Sequence, residues 1–506
     1  RDSASGGRFT HEVELEPGES EDLWFWVVLS DRMTYTHFPN FAEMRQQLEA
    51  HDHAWTAFWQ VSSVQWGDPE MEDLYKSCLY TIRCNASPWY VAPGILSTHW
   101  EGRTFHDDFY PFLGLLSGNH RELAERMPNY RLHTLPVAIR RAAGQGAYYG
   151  WEVAEDGEEC APYGHWTDEQ FRHGIFSEQI WRYYLHTRDR ESLTRYYPVL
   201  RGCAEWLIHD VLERDDAGDL KTRLITDADE TVFPVRNSIF VASATVRSLN
   251  NAARAAEILG LDATRRQTYR SLAQELRANL PLDDTGTSYA YADNARTPQG
   301  SHRLATVFPF SFDIHSQRAR ETATRIYEAF RTGERRTTWI WGIGRLCAAF
   351  FYQGRGDEGY QILRHALAIT SAFLAPSEHL REDKGPYLPW FATGAGAFVY
   401  AVHAMFLQVV DEGSAILLPA LPSHVRDARF TGLLASHGVV FSGEVKNEAL
   451  VSLVARSDRS MAYRFRIPQQ VAADTSFRPG LTLSKPDEQG LVTVHCSLAR
   501  GATRLV

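Results

Sequence analysis

Cysteine is scarce in this chain, and the few cysteines are scattered. The 506 residues include 6 cysteines, and none of them forms a Cys-x-x-Cys pair. This spacing argues against a zinc cluster or a disulfide framework, and it favours reduced thiols in a cytoplasmic protein. Because the chain opens at Arg1 and its first 35 residues or so look like the end of a domain, we expect the natural protein to begin further upstream.

Long apolar runs and excess positive charge are also lacking. No run reaches the roughly 18 apolar residues that a membrane-spanning helix needs, so we expect no membrane partner. The formal net charge of −11 argues against nucleic acid as a partner. Glycine-rich phosphate loops, His-Glu-x-x-His and Gly-x-Ser-x-Gly are absent as well, which argues against several common enzyme classes.

The apolar pattern changes twice along the chain. Residues 8–30 alternate like strands, residues from about 40 to 410 repeat at three and four, and from about 414 the period is two. We therefore predict a mainly α protein in which about a dozen helices form a closed (α/α) barrel. Small residues such as Gly394 to Ala397 would permit close helix packing. The predicted domains are the end of an N-terminal β-domain or a β annex (1–37), a linker helix (38–65), the barrel (66–412) and a C-terminal β-sandwich-like domain (413–506).

A short acidic motif precedes the predicted helix over 237–259. It reads Ile-Thr-Asp-Ala-Asp-Glu and ends at Glu230. Cleavage of a glycosidic bond needs one protonated carboxyl beside the leaving oxygen, and Glu230 is the candidate. The alternative is a solvated acidic turn in which Asp229 or Glu230 caps a helix.

Three further segments combine polar and aromatic residues. In the first, residues 100–108, adjacent carboxylates beside Arg and His suit sugar hydroxyls, with helix capping as the alternative. In residues 146–152 a Trp-Glu pair suits a sugar platform, with a buried Trp and a surface Glu as the alternative. In residues 376–394, Glu378 or Glu382 could be the second carboxylate, unless the segment is a charged loop between helices. His173, at a helix start, is a minor candidate that we interpret as structural.

These segments occur in an order that resembles glycoside hydrolase family 65 and its relatives, the inverting (α/α)6-barrel glycosidases and phosphorylases. Residues 102–108 are similar to the family's Gly-x-x-Phe-Trp-Asp-Thr, and residues 146–152 to its Gly-Ala-x-x-Pro-Trp-Glu. Residues 227–238 resemble its general-acid motif, and residues 419–422 match its Pro-x-Leu-Pro. The segment from Pro376 resembles the base segment of the related family 15. The likeness covers about residues 70–460.

The resemblance implies an inverting exo-glycosidase that hydrolyses an α-linked disaccharide or short oligosaccharide without metal or cofactor. Glu230 would be the general acid, its pKa raised by partial burial, and Glu378 the general base, with Glu382 in reserve. An inverting pair needs about 6.5–9.5 Å between carboxyls to admit a water. The group often dimerises through large β-domains, which leaves a homodimer open. The expected substrate-binding residues are Trp100, Arg103, His106, Asp107, Asp108, Trp151, Glu152, Asn237 and Trp390.

Departures from the family pattern keep other functions open. His106 stands where Trp is expected and Asp108 where Thr is expected, so the terminal sugar need not be glucose. Residues 391–394 lack the histidine of the phosphorylases' phosphate site, which favours water as the nucleophile. The alternatives are a disaccharide phosphorylase, a family 95 α-L-fucosidase or galactosidase suggested by Leu-Leu-Pro-Ala-Leu-Pro at 417–422, a polysaccharide lyase, and a catalytically silent sugar-binding protein.

Overall fold

The computed structural model describes residues 12–23, 40–94, 99–161, 163–295, 301–334, 338–412 and 414–506. Its contacts divide the chain into two units, Arg1–Gln60 and Val61–Val506. Almost all of helix α1 (Phe41–Val61) lies in the first unit, and it begins with a reciprocal cap. The Asn40 side chain accepts from the Glu43 backbone at 3.0 Å, and the Glu43 carboxylate accepts from the Asn40 backbone at 2.8 Å.

The predicted N-terminal strands fall only partly on described residues. Residues 12–23 contain the predicted turn at Pro17 and Gly18 but no strand. The rest of that prediction lies outside the described residues.

The second unit begins with helices, as the sequence pattern predicts. They cover the range over which the apolar period of three and four predicts helices. The helices are α2 (Pro69–Asn85), α3 (Phe109–Ser117), α4 (Arg121–His133), α5 (Leu135–Arg141), α6 (Phe171–Thr187), α7 (Arg190–Trp206), α8 (Ile239–Leu259), α9 (Ala263–Ala278), α10 (Gln317–Arg331), α11 (Ile340–Tyr352), α12 (Gly356–Leu363) and α13 (Ala392–Phe406), with the short α14 (Gln469–Ala473) further on.

These helices form a closed double ring. In the inner ring α13 packs on α11 and α3, α3 on α6, and α6 on α8, while a 3₁₀ turn at Ser301–Leu304 contacts both α8 and α11. Each inner member has an outer partner: α2 on α13, α4 on α3, α7 on α6, α9 on α8, α10 on the turn and α12 on α11. This is the alternation of an (α/α)6 barrel in which the fourth inner helix is reduced to one turn.

The strands complete the second unit. They are β1 (Ser63–Gln65), β2 (Leu212–Arg214), β3 (Leu220–Thr222), β4 (Leu224–Ile225), β5 (Val235–Arg236), β6 (Ser377–Arg381), β7 (Gly385–Pro389), β8 (Leu407–Gln408), β9 (Ala415–Leu417), β10 (Ala428–Leu434), β11 (Val440–Lys446), β12 (Ala449–Ser457), β13 (Met461–Pro468), β14 (Thr482–Leu483), β15 (Leu491–Leu498) and β16 (Gly501–Arg504).

The C-terminal strands build two five-stranded sheets. One has the order β1-β10-β11-β12-β16 and the other β14-β15-β13-β9-β8. Burial alternates along β11 and β15, as expected when one face of each sheet covers a core. The sheets also recruit β1 and β8, which lie before residue 413, so the β-domain draws on residues that the sequence pattern assigned to the linker helix and the barrel. In the described residues, no helix is long and apolar enough to cross a membrane.

The inner helix α13 approaches its neighbours α3 and α11 closely because glycine lies at both contacts. A Cβ at Gly396 would lie 2.1 Å from the Pro111 backbone nitrogen, and a Cβ at Gly394 would lie 2.0 Å from an Ile340 methyl carbon. The predicted close packing by Gly394 to Ala397 is therefore confirmed.

Replacement of Gly396 by Ala should destabilise the protein. Alanine gains up to ~1 kcal/mol in helix propensity, but its methyl would overlap a backbone atom that no rotamer change can move, which costs on the order of 1–3 kcal/mol or more. Chemical denaturation of Gly396→Ala should show the loss. Ala263→Ser, which adds one atom at an exposed position of α9, should be near neutral, and equal stability of the two variants would contradict this account.

Candidate active site

The predicted site segments lie on one set of connections. Residues 99–108, 142–170, 207–238 and 370–391 each join an outer helix to the following inner member of the barrel. Because outer and inner helices alternate, these connections lie at the N-terminal ends of the inner helices. Segments distant in sequence therefore meet at one end of the barrel, where the partial positive charge of helix N-termini favours anionic groups.

Asp107 and Asp108 lie in a 3₁₀ turn immediately before α3. Asp108 is fully buried, and its carboxylate meets Arg131 at 2.5 Å, Gln179 at 3.1 Å and the Thr104 hydroxyl at 3.2 Å. It makes no side-chain cap on α3, so helix capping does not explain it. Asp107 accepts from the Thr393 hydroxyl at 2.7 Å through one oxygen, while its other oxygen is buried without a partner. Asp107 is the member of the pair that retains an oxygen for a ligand.

Arg103 and Glu152 come together from two connections. Arg103 Nη1 donates to Glu152 Oε1 at 3.0 Å, and Arg103 Nη2 lies 3.1 Å from Glu101. Glu152 is buried, contrary to the surface position expected in the alternative interpretation of that segment.

The predicted aromatic residues take separate positions. Trp100 is buried and stacks on Phe391 with ring centroids 5.1 Å apart, while Trp390 meets Tyr80 edge-on at 6.1 Å. Trp151 packs edge-on against Phe105 at 4.8 Å. These contacts hold the rings in place and leave Trp390 half-exposed.

Glu230 lies in a loop between two short strands, β4 and β5, and not between two helices as expected. It is exposed, so the expected partial burial is wrong. Hydrogen bonds of the neighbouring residues Asp227 and Asp229 hold this loop in place. Asp227 accepts from the Ser238 hydroxyl at 2.6 Å, and Asp229 accepts from the Thr231 backbone at 3.0 Å. Asp229 thus caps a turn within the loop, whereas the cap of helix α8 is Ser238.

Two stacked rings join this loop to the connection over residues 142–170. Phe233 lies parallel to His165, with centroids 3.7 Å apart. Nearby, Arg223 bridges Asp168 at 2.7 Å and Asp210 at 2.8 Å. The loop that carries Glu230 is thus anchored beside residues 165–169.

The segment over 376–390 is a β-hairpin, which corrects its interpretation as a charged loop between helices. Glu378 lies on β6 with its carboxyl largely buried, and it feels the charges of Asp107 and Glu230. Glu382 lies at the hairpin turn and is exposed. The structure therefore brings Glu378, and not Glu382, to the other candidate carboxyls.

Glu169 is a site residue that the sequence patterns did not reveal. It follows the 3₁₀ turn His165–Asp168, is 1% exposed, and accepts from the Trp151 indole at 3.0 Å. The Glu230 carboxyl is within hydrogen-bonding reach of it. No motif marks Glu169, because its neighbours Asp168 and Gln170 resemble an ordinary polar helix start.

Burial and mutual repulsion shift the titration of this group of carboxyls. Burial, reinforced by the charges of Asp107 and Glu230, raises the pKa of Glu378 to about 8. Burial and the Asp108 charge raise the pKa of Asp107 to about 7, even though Thr393 opposes the shift. Burial and Glu230 raise the pKa of Glu169 well above its usual value. At neutral pH the site therefore holds protons that isolated carboxyls would have lost.

Histidines at the site are neutral. Burial, followed by the charges of Arg172, Arg131 and Arg345, lowers the pKa of His106 to about 3. His106 packs edge-on against Phe171 at 4.7 Å and places Nδ1 4.0 Å from Glu169. His173 is fully buried and accepts from the Tyr149 backbone at 3.1 Å, as a structural residue would.

Asn237 does not join the pocket group. It is fully buried, and its amide donates to the Asn279 carbonyl at 2.8 Å and to Asp293 at 3.2 Å. These bonds secure the start of α8 to the end of α9, so the structure corrects its assignment from substrate binding to a structural contact.

The chain is similar to known glycoside hydrolases. Residues 148–387 match the glycosyl hydrolase family 95 catalytic domain. The chain is 26% identical over 404 residues to a kojibiose hydrolase of Mucilaginibacter mallensis, covering 76% of this chain and 58% of that protein. It is 29% identical to a kojibiose hydrolase of Flavobacterium johnsoniae, covering 76% of this chain and 57% of the relative. The chain thus spans less than two thirds of these relatives.

The fold has a solved counterpart. A structure described as a kojibiose phosphorylase from the human microbiome superposes with a TM-score of 0.64 at 13% identity, over 85% of this chain and 68% of that one. The resemblance to the family 65-like group is confirmed. Family 95 is among its relatives, and the (α/α)6 barrel predicted for that group is confirmed with it.

The buried carboxyls should make stability depend on pH. Glu378 has a raised pKa, so it is protonated when folded and ionised when unfolded at pH 7, and its contribution falls as pH rises from about 4 towards 8. Glu378→Gln should therefore raise Tm more at pH 8 than at pH 5. The same change at exposed Glu382, on the same hairpin, is the control and should not reproduce the pH-dependent gain; a flat response of Glu378→Gln would contradict the burial.

Proposed function

We propose that this chain is an inverting exo-glycosidase that hydrolyses an α-linked disaccharide or short oligosaccharide. The observation that carries the proposal is that Glu378, largely buried on β6, feels the charges of Glu230 and Asp107, which lie on two other connections of the barrel. Kojibiose is the first substrate to test, because the two relatives described above are kojibiose hydrolases.

In the proposed reaction Glu230 is the general acid and Glu378 the general base. Glu230 gives its proton to the glycosidic oxygen as the bond from that oxygen to the anomeric carbon breaks. Glu378 takes a proton from the water whose oxygen attacks the opposite face of that carbon, which inverts the anomeric configuration. Both carboxyls then recover their starting states by proton exchange with solvent.

The surroundings of Glu378 support its role as the base. Glu378 is largely buried, and His379 Nδ1 lies 3.4 Å from its carboxyl without forming a hydrogen bond. Burial that raises its pKa also makes the ionised form a stronger base. Asp107 retains a buried oxygen without a partner that suits a sugar hydroxyl, and Arg103 with Glu152 supplies further polar groups nearby.

Two variants assign the roles. Glu230→Gln and Glu378→Gln should each slow kojibiose hydrolysis by ~10²–10⁴-fold. On α-glucosyl fluoride, whose leaving group needs little protonation, Glu230→Gln should recover most of its rate while Glu378→Gln should not. Proton NMR should show the β-anomer as the first sugar released. The opposite pattern on the fluoride would exchange the two roles, and release of the α-anomer would exclude inversion.

A disaccharide phosphorylase is the second candidate, supported by the fold match to the kojibiose phosphorylase structure. Phosphate would then replace water, and Glu378 would have no base role. The same assays distinguish the two: hydrolysis without phosphate supports the glycosidase, and turnover that requires phosphate with sugar phosphate as product supports the phosphorylase.

The pH profile should respond to Asp107. The negative charge of Asp107 contributes to the raised pKa of Glu378, after burial. Removal of that charge should lower the pKa of Glu378, so the acidic limb of kcat/KM should move to lower pH in Asp107→Asn. The height of the profile should also fall, because Asp107 is a proposed sugar contact. Glu122→Gln, at an exposed carboxyl of α4, is the control and should leave the limb in place, and an unmoved limb in Asp107→Asn would contradict the coupling.

A further inference from the structure

Glu169 is enclosed more completely than Asp107, Glu230 and Glu378. Its side chain is 2% exposed, and one oxygen, Oε2, accepts from the Trp151 indole at 3.0 Å. The other oxygen, Oε1, is closed to solvent, and no ordinary donor of the described residues reaches it. A buried acceptor without a donor is costly, so something must satisfy Oε1.

Three groups around Glu169 bear on how that oxygen is satisfied. His106 is neutral and 4.0 Å from Oε2. The Arg172 guanidinium helps to offset the charge of Glu169, but three of its five N–H groups donate to the backbone carbonyls of Tyr149, Glu169 and Thr167, and none reaches Oε1. The Glu230 carboxyl is within hydrogen-bonding reach of Glu169. Two ionised carboxylates in such contact repel each other, and one proton between them removes the repulsion and satisfies the buried oxygen.

We propose that Glu169 is a positioning residue for the general acid, which retains one proton in a pair with Glu230 and keeps Glu230 aimed into the pocket. The inference rests on the acid role proposed for Glu230. Glu169 is closed to solvent and acts only through Glu230. When Glu230 gives the proton to the glycosidic oxygen, the pair is left with two negative charges, which favours uptake of a proton from solvent before the next cycle.

Glu169→Gln tests the pair by activity. Glutamine has the same shape, can still accept from Trp151, and donates to Glu230 through its amide, which stabilises ionised Glu230. The basic limb of the kcat/KM profile for kojibiose should therefore move to lower pH by ~1 unit or more. Glu122→Gln, at an exposed carboxyl of α4, is the matched control and should leave the profile unchanged. A basic limb that stays in place in Glu169→Gln would overturn the proposal.

A double-mutant cycle tests the same pair without substrate. At pH 8, Glu230→Gln should raise Tm in the wild-type background, because it removes a carboxyl that repels Glu169, and this gain should vanish in the Glu169→Gln background. Equal effects in both backgrounds would refute the pair. Because this cycle needs no activity, absence of hydrolysis by the wild type would count against the proposed function alone.

A second comparison applies if Glu169→Gln does not fold. Glu169 has a raised pKa, so unfolding releases its proton and stability falls as pH rises above the unfolded value. In the Glu378→Gln background, added Glu230→Gln should make the fall of Tm between pH 5 and 8 shallower, since Glu230 no longer raises the pKa of Glu169. An unchanged slope would exclude the shared proton.

Discussion

Repulsion among carboxyl groups is the constraint on which the site depends. Asp107, Glu169, Glu230 and Glu378 come from four connections and converge at one end of the barrel, where each charge makes the next one harder to hold. Such a group is stable only if the carboxyls retain protons or the scaffold supplies compensation. Both occur here, and the balance between them sets which carboxyl can donate a proton and which can accept one.

The scaffold supplies compensation selectively. Asp108 receives a guanidinium, an amide and a hydroxyl, whereas its neighbour Asp107 receives a single hydroxyl. Glu169 receives one indole, and Glu378 has only a neighbouring histidine whose pKa is lowered, so that it is uncharged at neutral pH. A carboxylate whose oxygens all had hydrogen-bond partners in the protein would have none left for a ligand. The carboxyls left under-satisfied are those placed to meet a ligand, as is expected where function opposes stability.

Much of the barrel could be predicted from the sequence because inner and outer helices retain a regular apolar period. The fourth inner position could not, since only the turn Ser301–Leu304 is helical there and the tertiary contacts of α8 and α11 define it. The hairpin β6–β7 was also missed, because its polar residues alternate too weakly to distinguish a strand from a loop. The exposure of Glu230 and the burial of Glu169 depend on how two connections lie side by side, which no local pattern encodes.

The predictions of site residues were confirmed or corrected depending on whether the surroundings of each residue are set by its own motif or by distant segments. Asp107, Asp108 and Glu152 belong to motifs whose order along the chain carries information, and the structure brings them to the same end of the barrel. Asn237 also belongs to a motif, yet its amide is used between α8 and the end of α9. Choice between Glu378 and Glu382 required the hairpin, because strand geometry turns one carboxyl inward and leaves the other at the exposed turn.

The electrostatics of the site also bear on the choice of nucleophile. A phosphate beside Glu378 would bring additional negative charge next to Asp107 and Glu230, whose charges already raise the pKa of Glu378. The cationic side chain on the same strand, Arg381, is paired with Asp383 at 2.9 Å. Water adds no charge, and an ionised Glu378 can accept its proton directly. In the part of the chain that the structure describes, the charges that act on Glu378 are both negative, so a water would meet less repulsion there than a phosphate, which supports the proposed hydrolysis.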